Sequence, residues 1–257
     1  MNLVIGNTSQ LSRYFPDDFV KISSRNISNS VFKQKWDKVF ICFAEQRTFI
    51  NKDNLFNEIN YDYTKQIIEK LNADSIIYYS TAELWNKTNG EINVDLPFNY
   101  HPSDYVVSKE KITLHIKNNY ENVKVLYPFN FNSIYRMPPF LFGKIFHSII
   151  NKERINIGDT YYYRELLHPS FVVKESLIKN DHSIIGTGHL LFINDFIRKL
   201  YKYFNMSYED YIIEDLSNKS IYRNHIFYSK ERSFFTEQEL FNITTKEIND
   251  RLTNKIS

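Results

Sequence analysis

Short apolar runs alternate with segments of helical periodicity along the first half of the chain. The runs at 3–5, 39–43, 76–79 and 123–127 have the length and the β-branched or aromatic content of strands buried on both faces of a sheet. Between them, residues 60–71 and 103–118 carry apolar residues at helical spacing. Strands that alternate with helices in this way predict an α/β fold with a doubly wound parallel sheet.

From about residue 131 the pattern changes, and helices predominate. We expect helices over 138–151, 192–204 and 235–252, a short strand with a turn at 155–159, and a late strand at 183–188. The connection that follows the strand at 19–23 is short, which predicts that one crossover of the sheet is trimmed.

Composition narrows the classes of protein to consider. The chain has 257 residues, enough for one large α/β domain, and its 32 basic and 30 acidic residues leave a net charge of +2. That balance gives no electrostatic footprint for nucleic acid or for an anionic membrane. The apolar runs are too short to span a bilayer, and the first residues enter a strand without the regions of a signal peptide.

The single cysteine, Cys42, lies inside an apolar run, so we interpret it as a core residue of a cytoplasmic protein. No metal-ligand spacing surrounds any of the seven histidines, and we expect no metal site. His168 is interpreted as a structural histidine rather than an acid or base.

The segment Tyr105–Lys109 carries the candidate chemistry. A tyrosine and a lysine four residues apart lie on one face of a helix, with the tyrosine one turn before the lysine. A neighbouring ammonium stabilises phenolate and lowers the tyrosine pKa towards the working pH, which proton exchange with a sugar hydroxyl or ketone requires. Upstream, an apolar strand ends in Ser80 and Thr81, whose hydroxyls can bond the same substrate oxygen.

These two segments resemble motifs of the extended short-chain dehydrogenase/reductase family, which includes nucleotide-sugar epimerases, dehydratases, decarboxylases and ketoreductases. Residues 80–85 (S-T-A-E-L-W) resemble its S-S/T-x-E-V-Y segment, and residues 105–109 resemble its Y-x-x-x-K. The resemblance implies that Tyr105 acts as acid or base. It also implies that Lys109 lowers the tyrosine pKa and holds a ribose, and that Thr81 or Ser80 orients the substrate.

The resemblance also implies an architecture. We expect a Rossmann-like doubly wound parallel sheet with a small, discontinuous C-terminal substrate lobe. The dinucleotide-binding domain would span 1–130, completed by about 164–188, and the lobe would span 131–163 and 189–257. A homodimer is expected through the helices that start near Asn60 and Ser103, as in many members of the family.

The cofactor fingerprint is eroded. Where the family has G-x-x-G-x-x-G, this chain keeps Gly6 and has Ser9 and Ser12, in a pattern of strand, tight turn and helix start. Glu45 and Tyr63 are further departures, since they stand where the family has an alanine and a glycine beside the cofactor. The expected cofactor-binding residues are Gly6, Ser9, Gln10, Leu11, Ser24, Arg25, Ala44, Asn60, Tyr105, Lys109 and Pro128.

Residues Ser24 and Arg25 bear on the choice of cofactor. Members that prefer NAD carry an acidic residue at the end of the second strand to bind the ribose 2′-hydroxyl. No acid occurs here before Asp37, while a serine and an arginine suit a 2′-phosphate. We therefore expect NADP in preference to NAD.

Four residues are expected to bind a nucleotide-sugar substrate by the same resemblance: Glu83, Asn130, Arg164 and Arg223. The absence of an aspartate between Thr81 and Glu83 disfavours a dehydratase. A ketoreductase is ranked first because it fits the NADP preference, and the alternative is an NAD-dependent epimerase, or a decarboxylase or dehydratase. A third hypothesis is a degenerate, non-catalytic sugar-nucleotide-binding protein, motivated by the eroded glycines.

Overall fold

The computed structural model describes residues 1–49 and 54–256, and its elements follow the predicted alternation. Within these residues the strands β1 to β14 are, in chain order, Asn2–Ile5, Val20–Ile22, Trp36–Ile41, Ala73–Tyr79, Gly90–Ile92, Val123–Pro128, Asn130–Phe131, Ile155–Ile157, Tyr163–Arg164, Leu166–Leu167, Ser183–Ile185, Leu191–Phe192, Ile212–Glu214 and Phe227–Ser229. The helices α1 to α9 are Asn29–Lys33, Leu55–Asn57, Thr64–Lys70, Asp104–Asn119, Leu141–Asn151, Pro169–Ile178, Ile193–Tyr203, Tyr208–Tyr211 and Glu237–Ile256. A π-helical segment, Glu58–Tyr63, joins α2 to α3.

The chain divides into two compact units. Unit 1 consists of the described residues within Met1–Lys87, Val94–Pro128 and Val172–Ile185, and unit 2 of those within Thr88–Asn93, Phe129–Phe171 and Gly186–Ser257. The second unit thus holds nearly half of the chain. The predicted boundary between folding domains at about residue 130 stays a prediction, since compactness by itself does not establish independent folding.

Unit 1 is built on a parallel sheet of six strands in the order β11-β6-β4-β3-β1-β2. Its central strands are apolar on both faces, as expected for a sheet covered on both sides, and Val4, Val39 and Ile77 are fully buried. Tyr78 faces α4, whereas the phenol of Tyr79 bonds Ser176 of α6 at 2.7 Å. Helices therefore cover opposite faces of the sheet, and the predicted Rossmann-like, doubly wound fold is confirmed.

The strand order reverses direction at β1, which pairs with β2 on one side and with β3 on the other. Such a switch point leaves a crevice at the carboxyl ends of the two diverging strands, where α/β sheets bind ligands. Gly6 ends β1 there with φ of 108°, and a Cβ at this position would lie 3.0 Å from the backbone nitrogen of Phe43. Both its conformation and its close approach to the next strand require glycine.

The connection between β1 and β2 is shorter than the predicted pattern. Instead of the helix expected after Ser9, a four-residue 3₁₀ helix, Leu11–Tyr14, follows β1. Phe15 precedes a proline and is extended at φ −69° and ψ 149°, which ends the helix. The rings of Phe15 and Phe19 then pack on Phe40 of β3, with centroids 4.7 and 6.0 Å away, and cover the sheet in place of a longer helix.

Helix α4 matches its predicted span closely because its ends are marked in the sequence. The hydroxyl of Ser103 accepts the backbone N–H of Val106 at 3.3 Å and caps the first turn. Asp104 in that turn and Lys117 in the last complement the helix dipole. The helix carries Tyr105 and Lys109 on the side that faces β4.

Unit 2 has its own apolar core between α5, α7 and α9, in which Ile145, Ile197 and Leu200 are fully buried. Within the described residues, this unit also has four two-stranded sheets, which pair β5 with β14, β7 with β10, β8 with β13 and β9 with β12. The carboxylate of Glu165, which is fully buried, accepts the backbone N–H groups of Thr187 and of Ser229 in β14, and so connects three separate segments of the chain. Among the described helices, none combines the length and apolar character needed to cross a bilayer.

Candidate active site

Lys109 lies at the centre of the candidate site in unit 1. Its side chain is 2% exposed, and its ammonium donates to the phenol oxygen of Tyr78 at 2.9 Å and to the carbonyl of Tyr79 at 2.7 Å. An ammonium has three N–H bonds, and two of them have partners among the described residues, so one remains for a ligand. Burial lowers the pKa of Lys109 from 10.5 to about 7. The group can therefore gain or lose its proton near neutral pH.

The two predicted hydroxyl residues, Ser80 and Thr81, follow directly after β4, whose last residue, Tyr79, bonds this ammonium. Ser80 is buried and shares a hydrogen bond of 2.8 Å with Thr113 of α4, one turn beyond Lys109. The hydroxyl oxygen of Thr81 accepts the backbone N–H of Glu83 at 3.2 Å and caps the 3₁₀ helix Ala82–Trp85. Because this oxygen accepts, its own hydrogen can be donated to a substrate oxygen.

Tyr105 is half-buried and lies one helical turn before Lys109. Its ring meets Phe56 edge-on, with centroids 6.5 Å apart. Burial raises the pKa of Tyr78, and the nearby phenols of Tyr105 and Tyr127 raise that pKa further, which places Tyr105 close to the Tyr78–Lys109 pair. The structure thus places Tyr105 and Lys109 one turn apart on α4, and Ser80 and Thr81 directly after β4, whose Tyr78 and Tyr79 bond Lys109. That these four residues form one catalytic site stays a prediction.

The loop after β1 is held by hydrogen bonds to β2 and by hydrogen bonds between its own serines. The N–H groups of Gly6 and Asn7 both donate to the carbonyl of Ile22, at 2.9 and 3.0 Å. Ser9 and Ser12, which stand at the two eroded glycine positions, bond each other through hydroxyl and backbone groups at 3.2 and 2.8 Å. Leu11 is 3% exposed and belongs to the core, while Gln10 precedes the 3₁₀ helix.

Glu45, the predicted departure beside the switch point, is 5% exposed and paired. Its carboxylate accepts Nε and Nη2 of Arg47 at 2.9 and 2.5 Å, and this bonding is the main reason why its pKa is lowered. The side-chain amide of Asn60 accepts the N–H of Glu45 at 2.7 Å and donates to its carbonyl and to the hydroxyl of Ser108. A ribose contact by Asn60 would require one of these bonds to exchange.

Tyr63, the last residue of the π-helical segment, contacts the loop after β2, which was expected to bind the cofactor ribose. Its phenol donates to the carbonyl of Ser24, and its ring lies 5.7 Å from that of Phe43. Arg25 is exposed, and within the described residues its guanidinium has no protein partner. Ala44 is half-buried after β3, and Pro128 is buried at the end of β6.

The remaining predicted substrate residues lie in unit 2, apart from Glu83, whose carboxylate accepts the side-chain amide of Asn86 at 3.0 Å in unit 1. Asn130 is exposed in β7. Arg164 is 4% exposed, and its guanidinium lies 3.9 Å from the ring centroid of Tyr222. A flat, stacked guanidinium of this kind is held in a fixed orientation.

Arg223 is engaged inside unit 2. Its guanidinium forms a two-pronged pair with the carboxylate of Asp159, with Nη2 and Oδ1 2.6 Å apart. Chiefly because of this pair, the pKa of Asp159 falls to about 2. Nothing in the sequence pattern indicated Asp159 as its partner, and any phosphate contact by Arg223 would have to compete with this carboxylate.

Two other groups that sequence reasoning considered are buried. His168 is fully buried, its Nδ1 accepting the N–H of Ser170 at 3.2 Å and its Nε2 lying 3.2 Å from the carboxylate of Glu247. Burial raises the pKa of the Cys42 thiol. Among residues 1–49 and 54–256, no three or more His, Cys, Asp or Glu side chains are grouped to hold a metal ion.

Sequence reasoning missed Tyr78, the side chain that contacts Lys109. A signal for it exists in the alternation of the strand, because residues two apart point to the same face of a sheet. Ser80 was predicted to lie near Lys109, so Tyr78 on the same face was available as a neighbour. Its contact was overlooked because the apolar run around it is typical of a plain core strand.

The comparisons with known proteins show the fold. No protein-family model matches the chain, and no curated protein matches it. Among solved structures, RMD from Pseudomonas aeruginosa complexed with NADPH is similar over 99% of each chain, with 15% identity and a TM-score of 0.73.

Two further structures are similar over nearly their whole length. UDP-glucuronic acid 4-epimerase from Bacillus cereus, in complex with UDP-glucuronic acid and NAD, matches 99% of each chain with 17% identity and a TM-score of 0.75. UDP-glucose 4-epimerase from Thermotoga maritima, with UDP-glucose, matches 98% of this chain and 100% of its own, with 15% identity and a TM-score of 0.76. The chain therefore shares the fold of these proteins over both units.

Proposed function

We propose that this protein is an NAD(P)-dependent oxidoreductase that acts on a nucleotide-linked sugar, and specifically a 4-ketoreductase of surface-polysaccharide or deoxysugar biosynthesis. The observation that carries the proposal is the buried ammonium of Lys109, which lies one helical turn from Tyr105 and bonds the carbonyl of Tyr79 at the end of β4. The fold that this chain shares includes structures complexed with NADPH or with NAD and UDP-sugars.

Each side chain of the site has a role that its contacts support. Tyr105 holds or releases a proton at its phenol oxygen, and the ammonium of Lys109 stabilises the phenolate form. Thr81, whose oxygen accepts from Glu83, donates its hydrogen to the sugar oxygen that gains or loses this proton. A bound nicotinamide supplies the hydride exchange with the sugar carbon.

The residues present fit a dinucleotide at the switch point of the sheet. Lys109 keeps one N–H for a ribose hydroxyl, and a buried ammonium with an unused N–H is the kind of group that a ligand completes. Gly6 lets the chain turn tightly at the end of β1. Since the helix that normally receives a pyrophosphate is reduced to one 3₁₀ turn, we propose that cofactor affinity depends more on the ends of β2 and β4.

Within unit 2, Arg164 and Asn130 are the residues proposed to bind the nucleotide part of the substrate. The stacked guanidinium of Arg164 suits a diphosphate, which arginine binds with paired hydrogen bonds, and the exposed amide of Asn130 is available as a second donor. A screen of 4-keto nucleotide sugars, followed by the loss of NADPH absorbance, tests the proposed reaction. If the protein binds NADPH but does not oxidise it in the presence of any of these substrates, the ketoreductase assignment is contradicted.

An epimerase is the second candidate, and the environment of Glu83 favours it. Its carboxylate is held by Asn86, and no aspartate precedes it, as in the epimerase pattern. An epimerase returns its hydride to the same sugar, so it would show no net oxidation of added NADPH. The third candidate, a binding protein without catalysis, is distinguished by thermal shift, because a cofactor that binds only the folded state must raise the melting temperature.

Cofactor choice gives a prediction for Arg25. We expect Arg25→Ala to weaken NADPH binding by about one to three kcal/mol, the typical worth of a hydrogen bond to a charged group, and to leave NADH binding nearly unchanged. The exposed guanidinium is available for a 2′-phosphate, and the sequence has no acidic residue between Asp18 and Asp37 to accept a 2′-hydroxyl. Dissociation constants from fluorescence titration measure this, with the exposed Lys33→Ala as a control for charge loss. Tighter NADH than NADPH in the wild type would instead put the epimerase first.

The homodimer also stays a prediction, and α4 offers the surface for it. Val107 and Leu114, two turns apart on this helix, are 44% and 45% exposed. We expect Leu114→Glu to convert a dimer into a monomer, because a charge buried against its symmetry mate is costly. Light scattering at micromolar concentration measures the mass, with Ile178→Glu, at an apolar residue 68% exposed on α6, as the control. A wild-type monomer would rule the dimer out.

A further inference from the structure

Tyr78 makes a contact that the proposed roles do not use. Its phenol oxygen accepts a hydrogen bond from the ammonium of Lys109 at 2.9 Å, inside a region where both side chains are almost completely buried. The same ammonium lies 4.6 Å from the centroid of the Tyr78 ring. One side chain therefore holds the lysine both through its oxygen and through its aromatic face.

Among the described residues, Tyr78 is the residue whose side chain accepts a hydrogen bond from that ammonium. Lys109 forms no ion pair with a carboxylate among the described residues, and its other acceptor is the backbone carbonyl of Tyr79. The titratable groups that face Tyr78 are Lys109 and Tyr105 from α4 and Tyr127 from β6. A buried cation with so few partners depends strongly on each hydrogen bond that stabilises its charge.

We propose that Tyr78 is a positioning residue for the Tyr105–Lys109 pair, which keeps Lys109 charged and aims its remaining N–H at the ligand. The inference rests on the proposed function for its catalytic meaning, although the lysine–phenol contact can be tested without any cofactor. A charged Lys109 lowers the pKa of a neighbouring phenol, so the hydroxyl of Tyr78 acts on Tyr105 through the lysine.

The direction of the effect follows from the hydrogen bond. Since the phenol oxygen accepts from the ammonium, it favours the protonated lysine, and its removal favours the neutral amine. Burial already lowers the pKa of Lys109 to about 7. In Tyr78→Phe the ring and its cation–π contact remain and only the oxygen is lost, so the variant isolates this one bond.

Strand alternation supplies a matched control in the next residue. Tyr79 is equally part of β4, is buried, and loses a single hydrogen bond in Tyr79→Phe, the one to Ser176 on the opposite face of the sheet. Both variants remove one buried hydroxyl from the same strand, so both should lower the melting temperature to a similar extent. Only the hydroxyl of Tyr78 contacts Lys109.

The test is a titration of Lys109 by NMR in protein that carries ε-¹³C-labelled lysine, without cofactor, with the signal assigned by its loss in Lys109→Met. We expect Tyr78→Phe to lower the Lys109 pKa by about one unit, the equivalent of one hydrogen bond to a charged group, and Tyr79→Phe to leave it unchanged. Tyr78→Gln, whose amide oxygen can accept the same hydrogen bond, should keep the Lys109 pKa close to its wild-type value.

An unchanged Lys109 pKa in Tyr78→Phe, or equal shifts in both phenylalanine variants, would overturn the inference. If Tyr78→Phe is too unstable to titrate, Tyr78→Met takes its place. It should also lower the Lys109 pKa, and an unchanged pKa in this variant would equally overturn the inference. In active protein, the alkaline limb of kcat/KM should move to lower pH by about one unit in Tyr78→Phe alone. A wild type that neither binds nor oxidises NADPH would remove the proposed function while leaving the NMR result to decide the lysine–phenol contact.

Discussion

Tyr105→Phe is expected to lower turnover by about 10²- to 10⁴-fold, the usual contribution of a positioned acid or base. Only the phenol oxygen is lost. The ring still meets Phe56 edge-on, so the fold and the cofactor affinity should stay close to those of the wild type. Steady-state oxidation of NADPH with the 4-keto substrate found in the screen measures the rate, and fluorescence titration measures the cofactor affinity.

Tyr100→Phe is the matched control for this variant. Tyr100 is a half-buried tyrosine of the same unit, and its phenol bonds Glu110 on the outer part of α4 at 2.5 Å. Removal of this phenol oxygen should leave turnover close to the wild-type rate. If Tyr105→Phe kept the wild-type rate, the phenol would not be the acid or base, and the proposed chemistry would have to be abandoned.

Lys109→Met is expected to remove a strong pH dependence of stability. Burial holds the pKa of the folded protein at about 7, against 10.5 for the ordinary side chain. Between these values the unfolded chain binds a proton that the folded chain does not, so the free energy of unfolding rises with pH. Below about pH 7 both states are protonated, and the destabilising effect of the buried charge is fully present.

The measurement is the difference in the free energy of unfolding between wild type and Lys109→Met, from urea titrations at several pH values between 7 and 10. We expect this difference to rise by about 1.4 kcal/mol per pH unit, the full slope for one proton. Constant effects, such as the acceptors left on Tyr78 and Tyr79, do not alter the slope. The same variant should lose turnover and bind cofactor more weakly, since the ammonium serves both the phenol and the ribose.

Lys111→Met provides the control for this prediction on the same helix. Lys111 is exposed, bonds Asn57 at 2.7 Å and lies over the ring of Tyr61, so its removal changes the charge without emptying a buried site. Its stability difference from the wild type should be nearly flat over the same pH range. A flat difference for Lys109→Met as well would mean that Lys109 is not buried as a titrating amine.

Much of the first unit could be predicted from local patterns. The buried strands and the span of α4 follow from short-range periodicity, and the spacing of Tyr105 and Lys109 follows from the helix that carries them. The roles given to Ser80, Thr81, Tyr105 and Lys109 come from the motif resemblance. The short connection after β2 was also predicted, and it contains one five-residue helix, α1. Helix α5 likewise runs to its predicted end at Asn151.

The pattern was less informative where it met a proline or a distant partner. The loop after Gly6 resembles the start of a long helix, but the Phe15–Pro16 pair ends it after one turn, and packing of Phe15 on β3 replaces the missing helix. Arg223 was interpreted from its position in a motif, whereas its geometry is determined by Asp159, 64 residues earlier in the chain.

The sequence by itself determined the elements and the chemical groups of this protein. Hydrophobic periodicity selects strand or helix within a few residues, and the four-residue spacing of Tyr105 and Lys109 needs only one helix to place both on a face. The tertiary structure alone decided which groups are buried and what they contact. Burial against β4, some 30 residues away in sequence, lowers the pKa of Lys109 to about 7, and Tyr78 and Tyr79 accept the hydrogen bonds of its ammonium. Likewise, Asn60 holds Glu45 and Ser108 because three separate segments meet around it. Burial and partner choice depend on such long-range packing, which no local pattern encodes.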